Sequence, residues 1–377
     1  LIYFSAFFFW AAVYLYVPVL PIYARSLGAS LTAIGIIGAA YAIPQLLFRI
    51  PIGIWSDSLG KRKPLVVFGA VMVLLGAFGL WVSPGAGYLA LARGLVGVGA
   101  ATWVAFTIYA VSFYPPDNTA RAIGILNFVS GAALTATTAL GGVIADLWGE
   151  KSTFLTATVL AAAALGLLLF AGEHRLPKKG GFDLVALKQV ARRPLLLVVS
   201  AMAVLSFFAQ FASVMGFVPV YAAEIGASNS ELGILIMLSS SVTMIGALAV
   251  APLAGRMGNV FTLVLGALLL GASLLAVPFI RTIPVLDAAL MVNGLGWGIL
   301  GTQLMALSIH QTAPAQRATA MGFFQATYSV GMLLGPLVSG LLADRFGLAV
   351  VFYVASALYL LVIGMAFLPI LPGRRSQ

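Results

Sequence analysis

The sequence has no cysteine and two histidines, His174 and His310. The first absence excludes disulfides, thiolate catalysis and cysteine-based zinc sites, and two imidazoles are too few for a histidine metal site. No metal and no other cofactor is expected. Charge is also scarce. Charged residues make up 8% of the 377 positions, against about 25% in soluble domains. Of the ten acids, Asp287 is the only one set inside an apolar segment rather than at an edge. An enzyme working at a membrane interface would need His, Asp or Glu in a cluster. A membrane-embedded lipid-modifying enzyme is therefore the remote alternative, and no catalytic residue is assigned.

What is abundant is apolar surface: 62% of residues are hydrophobic and mean hydropathy is +1.09. A soluble core of this size cannot hide that excess. Twelve apolar segments can be marked, at 2–24, 32–55, 64–83, 87–112, 120–146, 151–172, 195–222, 231–255, 259–279, 284–309, 317–343 and 348–371. Each approaches or exceeds the ~20 residues that a helix needs to cross a bilayer. Barrel strands alternate over about ten residues, so uninterrupted runs of this length imply helices. The opening LIYFSAFFFW resembles a signal-peptide core, but it continues without a cleavage pattern into Tyr14, Pro18 and Pro21. It is read as a retained span. The chain begins without Met, which leaves room for a short leader upstream. The fold class is all-α, a twelve-helix membrane protein.

The formal net charge is +10, from 20 Lys and Arg against 10 Asp and Glu. These bases lie between apolar segments, so they read as orientation signals and not as a nucleic-acid surface. If segment 1 enters from the cytoplasm, fourteen bases fall on the cytoplasmic side and four on the other. Arg49 and Arg93 lie within segments. Both termini are expected in the cytoplasm. The polar stretch 173–194 separates an N-terminal six-helix bundle, 1–172, from a C-terminal one, 195–377. Within it Asp183–Arg193 reads equally as a basic amphipathic helix on the inner leaflet or as a solvated linker.

The two halves repeat at an offset of 198 residues. Pro21, Tyr23, Gly28, Ser30 and Gly35 pair with Pro219, Tyr221, Gly226, Ser228 and Gly233. Gly124, Asn127, Ala145, Asp146 and Gly149 pair with Gly322, Gln325, Ala343, Asp344 and Gly347. Six segments separate each pair, so the copies run in the same direction. Two such halves can enclose a cavity at mid-membrane and rock about it, which is alternating access.

The loop after segment 2 reads Gly53-Ile54-Trp55-Ser56-Asp57-Ser58-Leu59-Gly60-Lys61-Arg62-Lys63. An acid at a helix end, turn glycines and a basic cluster make a conformational latch. Asp57 can accept hydrogen bonds from a helix N-terminus or from Arg121. Such a latch would bias a two-state equilibrium by ~1–3 kcal/mol. With Gly53, Asp57, Gly60, Lys61 and Arg62, this loop is similar to the G-x-L-A-D-R-x-G-R-K signature of the major facilitator superfamily; Trp55, Ser56 and Ser58 depart from it. The second half keeps Gly258 but has Gly255 where Asp57 would repeat. Twelve segments, the six-plus-six repeat and the middle loop extend the resemblance over the whole chain.

In segment 4, Arg93, Gly97, Gly99, Ala100 and Ala101 resemble that family's helix 4 motif, with Val96 where Gln is usual. The resemblance implicates the arginine in proton or substrate handling. An arginine in a span is costly unless it is paired or faces water. Arg93 also lies only ~9 Å from the segment end, which permits snorkelling. Tyr41, Gln45 and Arg49 form a polar stripe on one face of segment 2, although Arg49 is equally placed to join the latch. Thr137-Thr138 stand where drug–proton antiporters carry Gly-Pro in helix 5, and Gly331, Gly335, Pro336 and Gly340 of segment 11 fit that pattern better. Gly296, Gly298 and Gly301 read as a packing face. The resemblance places helices 1, 4, 7 and 10 around the path. This brings Trp10 and Tyr14, Gln210, and Asn293 with Trp297 and Asp287 to it, and the repeat pair Asn127 and Gln325 of segments 5 and 11 is counted with the path.

The resulting expectation is a secondary active transporter in the plasma (inner) membrane, moving a small amphipathic organic solute by proton-coupled efflux (antiport). The alternative is uptake or facilitated diffusion of a small organic anion, drawn by Arg49 and Arg93. The expected partners are the solute, the lipid bilayer and protons, with no nucleic acid, in a monomer.

Overall fold

The computed structural model describes residues 1–59, 61–115, 118–173, 189–310, 312 and 316–371, without the side chains of residues 50, 54, 56–59, 119, 120 and 318. Every regular element among them is helical. The first half contains α1 (Ile2–Tyr14), α2 (Leu20–Ser26), α3 (Leu31–Leu59), α4 (Lys63–Trp81), α5 (Ala86–Ala101), α6 (Trp103–Val111), α7 (Thr119–Trp148) and α8 (Glu150–Phe170). The second contains α9 (Pro194–Ala212), a π-helical turn (Ser213–Phe217), α10 (Val218–Glu224), α11 (Asn229–Met257), α12 (Asn259–Ala276), a 3-10 turn (Val277–Phe279), α13 (Ile283–Ser308), α14 (Arg317–Phe346) and α15 (Ala349–Ala366). Eleven stretches among the described residues are long and apolar enough to cross a membrane, and α1 is a shorter apolar helix. Large side chains such as Phe170 and Leu248 are 84% and 80% exposed. Apolar surface of that extent suits contact with lipid. The chain is a multi-pass membrane protein.

Segment 1 is not the single helix that its hydropathy suggests. Pro18 and Pro21 have no N–H to continue the helical ladder, and α1 stops at Tyr14. Val17 and Val19 donate instead to the carbonyls of Tyr14 and Tyr16, each at 3.1 Å, and α2 restarts at Leu20. At ~1.5 Å per residue, α1 alone falls well short of a bilayer core. The second half breaks at the equivalent place. The π turn Ser213–Phe217 lies 198 residues after positions 15–19 and directly precedes the turn that carries Pro219.

Segment 4 is interrupted too, at Thr102, whose Oγ1 donates to the Gly99 carbonyl at 2.7 Å. Of the 173–194 stretch, residues 174–188 lie outside those described, and 189–191 are helical.

By contacts the chain divides into two compact units, Leu1–Phe182 with Ser228–Met237, and Asp183–Ala227 with Leu238–Gln377. In the first, α5 packs on α3 and α4, and α8 packs on α1 and α4. In the second, α13 packs on α12, and α15 on α9 and α12. The crossings are set by glycine. A Cβ on Gly97 of α5 would lie 2.4 Å from the Tyr41 carbonyl oxygen, and one on Gly294 of α13 would lie 2.1 Å from that of Ser239. Tyr41 and Ser239 are 198 residues apart and Gly97 and Gly294 are 197 apart, so the crossing recurs in both units with a one-residue shift on the glycine helix.

The repeat also governs helix ends. Gly28 and Gly226 have φ of 81° and 97° and close matching C-terminal caps: Ala29 N–H donates to Ala24 and Ala227 N–H to Ala222, at 3.0 and 2.9 Å. Such left-handed caps favour glycine. Gly28→Ala and Gly226→Ala are each expected to cost about 1 kcal/mol, because a Cβ is strained in this region. Thermal unfolding of the detergent-solubilised variants should show similar decreases. Tolerance of alanine at one position and collapse at the other would contradict equivalent caps.

Candidate functional site

The site in the first unit begins with the α3–α5 crossing. Gly97 lets α5 ride against the backbone of α3, and Arg93 lies one turn earlier on the same face of α5. Its side chain is 8% exposed. The guanidinium sits 4.2 Å from the centroid of the Tyr41 ring and 5.3 Å from that of Tyr16. Arg93 Nη1 donates to the Tyr16 hydroxyl at 2.7 Å. Among the described residues no carboxylate pairs with it. Two aromatic faces and one hydroxyl stabilise a buried cation but leave its charge unneutralised. Tyr16 is placed by the break after α1. It is fully buried, and its carbonyl accepts the N–H groups of Val19 and Leu20.

The stripe on α3 continues from this point. Gln45, 1% exposed, donates through Nε2 to the Tyr41 carbonyl at 3.1 Å, and Arg49 Nη2 donates to Gln45 Oε1. Gln45 thus uses both ends of its amide along its own helix. Arg49, Gln45, Tyr41, Arg93 and Tyr16 form one continuous ladder. Arg49 is half-buried at its end.

The aromatic face of α1 lies alongside. Trp10 stacks on Tyr14 (centroids 5.1 Å apart, planes at 16°) and meets Trp103 edge-on at 5.1 Å. The helix interruption at Thr102 places Trp103 at the start of α6. The Trp10 indole Nε1 is buried with no hydrogen-bond partner among the described residues. A cavity of about 350 Å³ is lined by Tyr3, Phe4, Phe7, Phe8 and Val129. Phe7 lies one turn from Trp10.

The second unit has an aromatic cluster of its own. Phe207 stacks on Tyr328 at 3.9 Å and 3°, and meets Trp297 at 4.9 Å and 77°. Gln210 is buried one turn after Phe207, with Oε1 unpartnered among the described residues. Ser206 and Ser213 turn their hydroxyls onto carbonyls of their own helix, a local arrangement common for serine in spans. Asn293 is fully buried and donates to Ser273 Oγ of α12 at 3.0 Å, so it is directed at that helix, whereas Trp297 joins the aromatic cluster. Asp287 and Gln325 are half-buried, and Asn127 is exposed.

In the loop proposed as a latch, the Asp57 side chain and Gly60 lie outside the described residues. Gly53 faces Val104 of α6, Lys61 is exposed, Arg62 is buried and Arg121 is exposed at the start of α7. Lys63 has a definite task. Its Nζ donates to the carbonyls of Leu169 and Ala171 at 2.9 and 2.7 Å, closing the end of α8. Thr137 and Thr138 donate to Ala133 and Leu134 on their own helix.

The sequence reading missed Tyr16, Trp103, Phe207 and Tyr328, and it placed Lys63 in the basic cluster of the latch and not at the end of α8. For Tyr16 a signal existed, since a tyrosine two residues before Pro18 falls where the helix must break.

The family model of the Major Facilitator Superfamily matches residues 2–312 and 201–377 of this chain. An uncharacterized MFS-type transporter of Methanocaldococcus jannaschii is 25% identical over 367 residues, covering 92% of this chain and 91% of the relative. The multi-drug resistance efflux pump PmrA of Streptococcus pneumoniae is 26% identical over 358 residues, covering 92% and 89%. Among solved structures, a point mutant of the nucleoside transporter NupG superposes with a TM-score of 0.81 over 97% of each chain at 13% identity, which establishes the shared fold.

The ladder makes a specific stability forecast. Tyr16→Phe removes one hydrogen bond from a buried cation and should cost about 2 kcal/mol. Gly97→Ala forces α5 away from α3 and should cost about 1–3 kcal/mol. Both are measured by thermal or denaturant unfolding of the purified protein. A Tyr16→Phe variant as stable as wild type would remove Tyr16 from the support of Arg93.

Proposed function

Because the chain belongs to the major facilitator superfamily, we propose that it moves a small amphipathic organic solute across the plasma membrane by alternating access, as a proton-coupled efflux antiporter. The observation that carries the reading is the Trp10–Tyr14–Trp103 cluster, whose Trp10 indole N–H has no partner among the described residues. It offers a flat apolar surface for the body of a solute and a donor for its polar group. The similarity to PmrA, named as a multi-drug resistance efflux pump, supports the direction. Protons would couple through the half-buried Asp287 or through an ionisable group on the solute. The two bundles, 1–172 and 195–377, are joined by a cytoplasmic linker, and both termini are cytoplasmic in a monomeric protein.

Arg93 favours a second reading. A buried guanidinium without a carboxylate partner among the described residues attracts an anion. Uptake or facilitated diffusion of a small organic anion would use it directly.

Flux in proteoliposomes separates the two. Ethidium and benzoate are offered with and without an imposed pH gradient. Gradient-driven ethidium movement supports antiport, and gradient-independent benzoate movement supports the anion reading. In either case Arg93→Ala should abolish flux at unchanged expression, and wild-type flux in that variant would reduce Arg93 to a structural cation. Asp57→Asn should shift the balance of the two transport conformers about five- to 150-fold, at a latch strength of ~1–3 kcal/mol. Thiol labelling of single cysteines introduced into this cysteine-free chain reads that shift, and an unchanged labelling pattern would dismiss the latch.

A further inference from the structure

The helix that starts at Asn229 begins in the first unit and continues, beyond Met237, in the second. Its start is satisfied in an unusual way. A helix leaves its first backbone N–H groups without internal partners. Here Ser228 Oγ accepts the N–H of Glu231 at 3.2 Å, and Glu231 Oε2 accepts the Ser228 N–H at 2.8 Å, a reciprocal capping box. The remaining two donors go to a different helix. Asp146 of α7 accepts the Asn229 N–H through Oδ1 at 3.1 Å and the Ser230 N–H through Oδ2 at 2.8 Å.

The backbones beneath are pressed together by two glycines. A Cβ on Gly142, one turn before Asp146, would lie 2.1 Å from the Asn229 carbonyl oxygen. One on Gly233, one turn into α11, would lie 2.4 Å from that of Thr138. Asp146, Ser228 and Gly233 all belong to the repeat seen in the sequence, and the transport reading makes no use of them.

We propose that Asp146 is a releasable clasp, which holds the first turns of α11 against α7 in one stage of the transport cycle and lets them go in another. The inference rests on the transport reading for the cycle, while the clasp itself stands on the geometry. A carboxylate facing two N–H groups at a helix N-terminus makes charge-assisted bonds favoured by the helix dipole. Asp146 is exposed, so water can take over both its oxygens and the freed N–H groups when the contact parts. The capping box stays with α11 and keeps the helix start intact after release. A buried carboxylate would be left stranded by the same movement, so exposure is what makes this contact reversible.

The test has one arm that needs no solute. Amide hydrogen exchange is followed in the full chain in nanodiscs, for wild type, Asp146→Ala, Asp146→Glu and Asp146→Asn. Asp146→Ala should speed exchange at Asn229 and Ser230 about tenfold, with α4, α5 and α12 unchanged, and Asp146→Glu should recover part of the protection. Unchanged exchange at those two amides overturns the clasp. If Asp146→Ala raises exchange throughout, Asp146→Asn, which keeps the shape and removes the charge, decides: a rise confined to residues 229–230 supports the clasp, and no rise overturns it. The second arm uses Leu147→Cys with Asn229→Cys, joined by a short bis-methanethiosulfonate reagent, and reads ethidium flux in proteoliposomes. Joining should stop flux and reductant should restore it, whereas undiminished flux in the joined protein shows that the contact never opens. Absence of ethidium flux before joining counts against the efflux reading, and the exchange arm then decides the clasp alone.

Discussion

Inside a bilayer every backbone N–H and C=O must find a partner within the chain. That constraint explains the all-helical fold, and it makes each interruption of a helix informative. Where Pro18 and Pro21 stop the ladder, three-residue turns onto Tyr14 and Tyr16 take over. Where the helix breaks at Thr102, its own hydroxyl covers the Gly99 carbonyl. The interruptions are also where the chemistry gathers. One delivers Tyr16 to Arg93, and the other delivers Trp103 to Trp10. A straight helix through either place would turn those side chains elsewhere, because each residue added or removed rotates the rest of the helix by ~100°.

Helices that share a lipid solvent gain little from burying apolar surface against each other, so close backbone approach does more of the work. Glycines at the crossings permit it. Gly97 against the Tyr41 carbonyl, Gly294 against that of Ser239 and Gly142 against that of Asn229 are the same device on three helix pairs. At the first of these the approach has a second effect. It lowers Arg93 onto the Tyr41 ring, so the contact that builds the bundle also positions its buried charge.

Much of this was legible in the sequence, because hydropathy runs and a repeat offset are properties of local composition. The twelve apolar segments and the pairing of Gly28 with Gly226 follow from them, while the caps that these glycines close came from the structure. Segment 1 did not, because hydropathy counts apolar side chains and takes no account of the missing N–H of Pro18 and Pro21. The stripe Tyr41–Gln45–Arg49 was visible as a four-residue spacing. Its continuation to Arg93 and Tyr16 was not, since no local period encodes a contact between residues far apart in the chain. Spacing also says nothing about direction: Asn293 and Trp297 are one turn apart, yet one faces Ser273 of α12 and the other faces Phe207.

The duplication itself separates scaffold from chemistry. Positions at which the backbone demands a particular residue recur at the offset: Pro21 with Pro219, Gly28 with Gly226, Gly149 with Gly347. The charge ladder does not recur. Counterparts of Tyr16, Tyr41, Gln45 and Arg49 at the offset are Val214, Ser239, Thr243 and Ala247, and one turn before Gly294, where Arg93 precedes Gly97, stands Leu290. Both units therefore carry an aromatic cluster, but only the first places a cation on its α3–α5 crossing. A buried charge costs stability in either unit, and the second unit shows that the crossing forms without one. Arg93 is thus not required by the fold. Part of the cost of burying it is offset by the Tyr16 hydroxyl and by the two ring faces that flank the guanidinium, contacts that the second unit's crossing does without.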